Sequence, residues 1–207
     1  MVMDQEEMYF RVWMFQGAKL YQFVPEHRED DISAPSHLSD IHTRFALSTD
    51  GELLREMLIA SAGRTQTPNP DNGAAICDAG HARFLEGWPR NGDLGLIAMA
   101  TWEINRWEPI PVGAVCLGQI PDDEADFRLL PAGVPELIIA VGATQRGRGI
   151  GTVLIRRLLQ MAAHQGIQQV STRVQRDSPA VRFFEREGFH IGASGLGNRW
   201  LVLTTYL

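Results

Sequence analysis

Residues 135 to 166 constrain the fold more than any other stretch of this chain. Leu137-Ile138-Ile139-Ala140-Val141 is a short, uninterrupted apolar run, the pattern of a strand covered on both faces. Gly142-Ala143-Thr144-Gln145-Arg146-Gly147-Arg148-Gly149-Ile150-Gly151 follows as a glycine-rich loop. Then Ile150, Val153, Leu154, Leu158, Met161 and Ala162 recur at the 3.6-residue period of a helix with one buried face. Gly166 stands where such a helix is closed by a left-handed residue. Strand, loop and helix in this order place unpaired N–H groups and a positive dipole end beside glycines that a ligand can approach closely. With Arg146 and Arg148 the loop predicts a phosphate cradle, and a pyrophosphate fits it best. A plain strand-to-helix turn with solvated arginines is the alternative. No Gly-Lys-Ser/Thr follows, so this is not a Walker A loop. The glycine order also departs from the dinucleotide fingerprint Gly-x-Gly-x-x-Gly.

The order present is Arg146-x-x-Gly149-x-Gly151. It resembles the acetyl-CoA signature of the GNAT superfamily of N-acetyltransferases. Downstream, Asp177-Ser178-Pro179-Ala180-Val181-Arg182-Phe183-Phe184-Glu185-Arg186-Glu187-Gly188-Phe189 is similar to that family's motif Asn-x-x-Ala-x-x-x-Tyr-x-x-x-Gly-Phe, with Ala, aromatic and Gly-Phe in register. Glu86-Gly87-Trp88, Gly92-Asp93-x-Gly95 and Pro135-Glu136-Leu137 resemble a bacterial subgroup of undefined acceptor. The resemblance covers most of residues 45–207 and leaves 1–44 as an N-terminal strand or hairpin and polar loop.

The resemblance implies an α/β (α+β) fold. Its central sheet is mixed, mostly antiparallel and twisted, splayed between two parallel central strands and flanked by about four helices. It implies that acetyl-CoA lies along the Leu137–Val141 strand. Backbone groups of Ile139, Ala140 and Val141 would hold the pantetheine arm. Arg146, Gly147, Arg148, Gly149, Ile150, Gly151 and Thr152 would hold the pyrophosphate. Asp177, Ser178, Ala180, Phe183 and Phe184 would complete the cofactor site. Two positions depart from the family pattern. Asp177 replaces an Asn that contacts the pantetheine arm. Phe184 replaces the Tyr that commonly protonates the departing CoA thiolate. A thiol with a pKa of roughly 8–9 is a tolerable leaving group without that acid, so transfer survives in principle but is slowed.

An amine acceptor must lose a proton before it attacks, so a general base is required. Glu136 is the first candidate because it starts the central strand; a strand-end salt bridge is its competing reading. Strand alternation puts Glu136 on the same face as Ile138 and Ala140 unless a bulge intervenes. Glu103 and Asp93 are weaker alternatives. Trp88 is a candidate wall of the acceptor pocket or a core residue. Cys116, inside an apolar strand, lacks any neighbour that would activate it. His164 and His190 read as solvated helix and strand residues.

The net charge of −6 is unevenly spread. Residues 1–135 hold ten Lys and Arg against 21 Asp and Glu, whereas residues 136–207 hold nine against four. The basic third suits a polyanionic cofactor, and the acidic remainder favours a cationic small-molecule or peptide amine. One lysine and no basic stripe with interleaved aromatics argue against nucleic acid. No apolar run reaches membrane-span length. The acidic start Met1-Val2-Met3-Asp4 is no secretory leader, and two cysteines in apolar runs fit a reducing cytoplasm. His37, Asp40 and His42 match no metal-ligand spacing, so no metal is expected. A homodimer is left open. So is a catalytically weak acyl-CoA binder or sensor on the same fold.

Along the rest of the chain, residues 8–24 read as a strand or hairpin turning at Gln16-Gly17-Ala18, and Pro25 to Thr43 as a loop. Thr49-Asp50-Gly51-Glu52 reads as a capping box before a helix ending near Gly63. A second helix is expected over 73–86, strands over 96–103 and 112–120, and a connecting turn over Trp107–Pro111. A strand over 170–174, a helix opened by Ser178-Pro179, and two last strands complete the chain.

Overall fold

The computed structural model describes residues 12–16, 19–23, 40–62, 85–102, 105–119, 133–195 and 200–207. The expected strand run, glycine loop and amphipathic helix lie at the middle of the structure. Glu136–Val141 is a central strand, and Ile150–His164 is the helix that follows it.

In chain order the strands are β1 Val12–Gln16, β2 Lys19–Phe23, β3 Asp40–Phe45, β4 Leu94–Trp102, β5 Asn105–Gly118, β6 Glu136–Val141, β7 Gln169–Gln175, β8 His190–Gly195 and β9 Trp200–Tyr206. Among the described residues the helices are α1 Gly51–Ala62, α2 Ile150–His164 and α3 Ala180–Arg186. The expected helix over 73–86 lies almost wholly outside the described residues. β1 and β2 pair antiparallel in a two-stranded sheet of their own, with Gln16 opposite Lys19; the predicted turn residues Gly17 and Ala18 lie outside the described residues. The other seven strands form one sheet in the order β3-β4-β5-β6-β7-β9-β8. Every neighbouring pair is antiparallel except β6–β7. The mixed, mostly antiparallel sheet is thus as expected.

Alternation along the strands sends side chains to two separate cores. On one face Leu96, Ala98, Val115, Leu117 and Leu137 pack with Ile150, Leu154, Ile155, Leu158 and Ala162 of α2, and with Phe184 and Phe189. On the other, Ile97, Ala114, Cys116, Ile138 and Ala140 pack with Leu54 of α1. β6 is therefore covered on both sides, which is why its sequence is continuously apolar after Glu136. α2 ends as expected. Gly166 takes φ 81°, and Ile167 N–H reaches back to the Ala162 carbonyl.

Three expectations need correction. Trp107–Pro111 is not a turn but part of β5. Its pairing with β6 covers only Gly113–Gly118, so the segment bearing Pro109 and Pro111 extends past β6 and pairs only with β4. A proline without an N–H is tolerated on such an unpaired edge, and a register shift accompanies it there. Residues 40–43 are not loop. They belong to β3, whose polar side chains are explained by its place at the sheet edge.

The Thr49–Glu52 capping box is also replaced. Ser48–Asp50 forms a 3₁₀ turn, in which Asp50 accepts the Leu47 N–H at 2.8 Å and two bonds from Arg44 at 2.6 and 2.8 Å. These donors hold the Asp50 carboxyl below its usual range, the Arg44 hydrogen bonds contributing most. A carboxyl whose folded pKa is depressed adds stability above its unfolded pKa, about 3.9, and loses it as pH falls through the folded value. Asp50→Asn should therefore flatten the acid limb of stability below about pH 4. Urea titrations of both proteins at several pH values read this directly. Parallel acid limbs would contradict it.

Candidate active site

β6 and β7 run parallel but share a single register pair, Glu136 with Ser171. Ser171 N–H donates to the Pro135 carbonyl at 3.0 Å, and its hydroxyl donates to the same oxygen at 3.3 Å. Beyond this point the strands diverge. The far edge of β6 is taken by β5, and that of β7 by β9. The facing edges of residues 137–141 and 172–175 form no ladder with one another. The sheet thus opens into a fork whose mouth lies at the C-terminal ends of both strands. Such an opening offers unpaired N–H and C=O groups to an extended ligand.

The glycine loop sits at the mouth of the fork. Gly142 N–H donates to the Val112 carbonyl at 2.9 Å, and Ala143–Gln145 makes one 3₁₀ turn. Gly147 (φ 75°) and Gly149 (φ 80°) are left-handed, which few other residues adopt. A Cβ at either would meet no atom within 4 Å, so the space beside both is open. Gly149 is the N-cap of α2, and the first helical bond runs from Val153 N–H to the Gly149 carbonyl at 3.1 Å. The N–H groups of Ile150, Gly151 and Thr152 precede that bond and have no intrahelical acceptor. Arg146 and Arg148 are exposed around them. Arg146 Nε also donates to the Val141 carbonyl at 3.2 Å, fastening the loop to the end of β6.

Gly151 has a different task from the other two glycines. A Cβ there would lie 3.0 Å from Phe183 Cζ and 3.7 Å from Ile139 Cδ1. It lets α2, α3 and β6 converge, so three of the residues expected at the cofactor site meet at one point. Ile139, Val141, Ala180 and Phe183 are half-buried apolar residues on the α2 face of the fork. Ser178 accepts the Ala180 N–H at 3.2 Å, as expected for the residue opening α3. Asp177 is exposed just before it. Phe184 is buried, its ring 5.4 Å from Phe183 and 5.2 Å from Phe189. The Thr152 hydroxyl donates to Glu187 at 2.7 Å, and Arg156 pairs with the other Glu187 oxygen at 2.8 Å. This leaves the main-chain N–H of Thr152 as its donor toward the loop.

Of the carboxylates named as bases, Glu136 is at the closed end of the fork. Both its oxygens are held by Arg173, at 2.7 and 2.8 Å. Glu103 lies outside the described residues. The Asp93 side chain is 2% exposed and accepts the Arg90 N–H at 2.8 Å and its Nε at 3.0 Å, packed over Gly118. That pair organises the turn before β4. Trp88 packs against Gly95 on the α1 side, and its indole N–H is buried without a partner among the described residues. Cys116 is wholly buried, and burial pushes its thiol pKa far up, so it offers no nucleophile. Arg173 and Glu187 were missed from the sequence. Arg173 falls among the polar residues Gln169, Ser171 and Gln175 of β7, on the face opposite Val170 and Val174, so nothing local in the sequence marks its role.

An open left-handed glycine pair, three donors at a helix start and two arginines suit a pyrophosphate, and the apolar fork suits a pantetheine arm. The arrangement has the chemistry to take an acyl-CoA. The profile of the Acetyltransferase (GNAT) family matches residues 65–189, more than half of the chain, and the protein belongs to that family. The family's acyl donor is acetyl-CoA. Solved structures support the fold. PaiA N-acetyltransferase from Thermoplasma acidophilum, determined in complex with coenzyme A, superposes with a TM-score of 0.56 at 16% identity, over 81% of this chain and 99% of that one. A GCN5-related N-acetyltransferase from Kribbella flavida gives 0.53 at 16% identity, over 81% and 98%. An L-2,4-diaminobutyric acid acetyltransferase from Nocardia farcinica is 45% identical over 42 residues, which are 20% of this chain and 22% of that enzyme. The alignment thus spans about a fifth of that relative. Among the described residues no helix is long and apolar enough to cross a membrane. Nor do three or more His, Cys, Asp or Glu side chains gather there as metal ligands.

Proposed function

We propose that the protein transfers an acetyl group from acetyl-CoA to a primary amine of a small molecule or peptide by direct attack in a ternary complex. The observation that carries this reading is the glycine loop with its unpaired helix-start N–H groups at the mouth of the β6–β7 fork. Main-chain N–H groups of Ile150, Gly151 and Thr152, with Arg146 and Arg148, would hold the pyrophosphate. The edge of β6 from Ile139 to Val141 would hold the pantetheine arm and aim an N–H at the thioester carbonyl. Ala180 and Phe183 would wall the arm, with Ser178 and Asp177 at the start of α3. The bound group supplies an activated acetyl thioester.

The acceptor must arrive deprotonated or lose its proton to a base. The bidentate Arg173 contact occupies both oxygens of Glu136, so the base role expected for that residue requires the ion pair to open first. Phe184 brings no hydroxyl, so the thiolate leaves without a phenolic acid. Short-chain diamines and diamino acids head the acceptor panel. The acidic balance of residues 1–135 favours cations, and the Nocardia farcinica relative acts on a diamino acid.

Release of free thiol from acetyl-CoA with each amine of such a panel, extended to polyamines, aminoglycosides and peptide N-termini, tests the proposal. Amine-dependent release with a matching acetylated product is expected. Tight CoA binding without acetylation of any amine would instead support the second reading, an acyl-CoA binder or sensor. The absence of the phenol at Phe184 favours that reading.

A further inference from the structure

We infer that the Glu136–Arg173 ion pair is a positioning device. It sets the opening of the β6–β7 fork and thereby the placement of the pantetheine arm, a role that rests on the CoA reading above. The main-chain junction of the two strands is narrow. One register pair and the two Ser171 bonds to the Pro135 carbonyl hold it. The next link toward the mouth is made by side chains. Arg173 lies two residues beyond Ser171, and its guanidinium reaches back across the gap to Glu136. Alternation puts both residues on the α1 face, opposite the Ile139 and Val141 side chains that face α2.

The pairing is bidentate, with Nε on Oε1 and Nη2 on Oε2. Two parallel bonds between planar groups fix angle as well as distance. It is also shielded. The Glu136 side chain is 4% exposed and that of Arg173 17%. A shielded pair is little screened by salt, and losing one partner leaves the other charge buried and unpaired. Ser171 alone would leave the fork angle to the twist of the strands. The ion pair adds a second point of attachment, and two points define an angle.

A clamp on the fork should be felt by a ligand that enters it and not by one that touches only the loop. CoA and 3′-phosphoadenosine 5′-diphosphate make that comparison, since the latter carries the pyrophosphate without the pantetheine arm. Calorimetric titrations of Glu136→Gln and Arg173→Lys are expected to show CoA affinity weakened about tenfold, with the nucleotide unchanged. With a turned-over amine, KM for acetyl-CoA should rise in both variants. The acid limb of the kcat profile should persist, and the double variant should be no worse than the worse single. Arg173→Lys keeps the charge, so it tests the bidentate geometry even where Glu136→Gln folds poorly.

Unchanged CoA affinity with a hundredfold or greater fall in kcat and loss of the acid limb would make Glu136 the base and overturn the clamp. Equal weakening of both ligands in step with a lowered Tm would reduce the pair to fold stability and overturn it as well. Wild-type protein that binds neither ligand would overturn the CoA reading itself, and the clamp with it.

Discussion

Gly149→Glu is expected to abolish CoA binding while leaving the fold in place. Two effects act on the same residue. Gly149 sits at φ 80°, where an L side chain costs about 1–2 kcal/mol. That strain lowers Tm by only a few degrees in a chain of this size. The larger effect is on the ligand. Nothing of the protein lies within 4 Å of a Cβ there, so the new carboxylate enters the open space beside the helix start. It competes for the N–H groups of Ile150, Gly151 and Thr152 and repels the pyrophosphate. Like charges brought together at an interface cost several kcal/mol, so the CoA Kd should rise at least about a hundredfold. Gly149→Ala carries the strain without the charge and should show the Tm loss with a smaller change in affinity. Calorimetric titration and thermal melts of the two variants separate these terms. Equal affinity in Gly149→Glu and wild type would remove the loop from the CoA site.

The second large effect is on stability. Leu154 is fully buried where α2 crosses β5, and its Cδ1 lies 3.2 Å from where a Cβ on Gly113 would stand. It anchors the turn of α2 that carries the cradle onto the sheet. Truncation to Ala removes buried contacts and leaves a cavity, costing about 2–5 kcal/mol. Val153, one residue earlier, is 42% exposed, and its truncation should change stability by no more than about 0.5 kcal/mol. Urea unfolding is the measurement. The midpoint should fall in Leu154→Ala with little change in slope, and stay close to wild type in Val153→Ala. Similar losses in both would mean that α2 is not seated on the face described.

The contrast between Leu154 and Val153 also marks what local pattern can reveal. The seating of α2 was legible because a 3.6-residue period reports one buried face whatever that face meets, but Val153, counted in that stripe, lies 42% exposed, and Ile155 takes the buried place instead. The geometry of the glycine loop was legible because glycines, arginines and a helix start are contiguous in the chain. That Gly149 needs a left-handed backbone while Gly151 needs room for Phe183 was not. The second requirement depends on a side chain 32 positions away.

Long-range pairing hid the rest. Glu136 and Arg173 are 37 residues apart and meet only because two strands run parallel for one register pair. The carboxylate expected as a base is held by a guanidinium that no local pattern announces. Residues 40–43 of β3 carry the polar side chains of an edge strand, which locally resemble those of a loop. The proline-bearing part of β5 has the local look of a turn, and nothing near it in the chain says where its neighbour β6 ends.

The central claim is that the helix-start N–H groups at 150–152 hold the pyrophosphate of CoA while the edge of β6 holds its arm. Amide ¹H–¹⁵N spectra recorded as CoA is added test it residue by residue. The largest shifts should fall on Gly147, Gly149, Ile150, Gly151 and Thr152, with a second group on Ile139, Ala140 and Val141. Saturable shifts confined to other elements, with these amides unmoved, would contradict it.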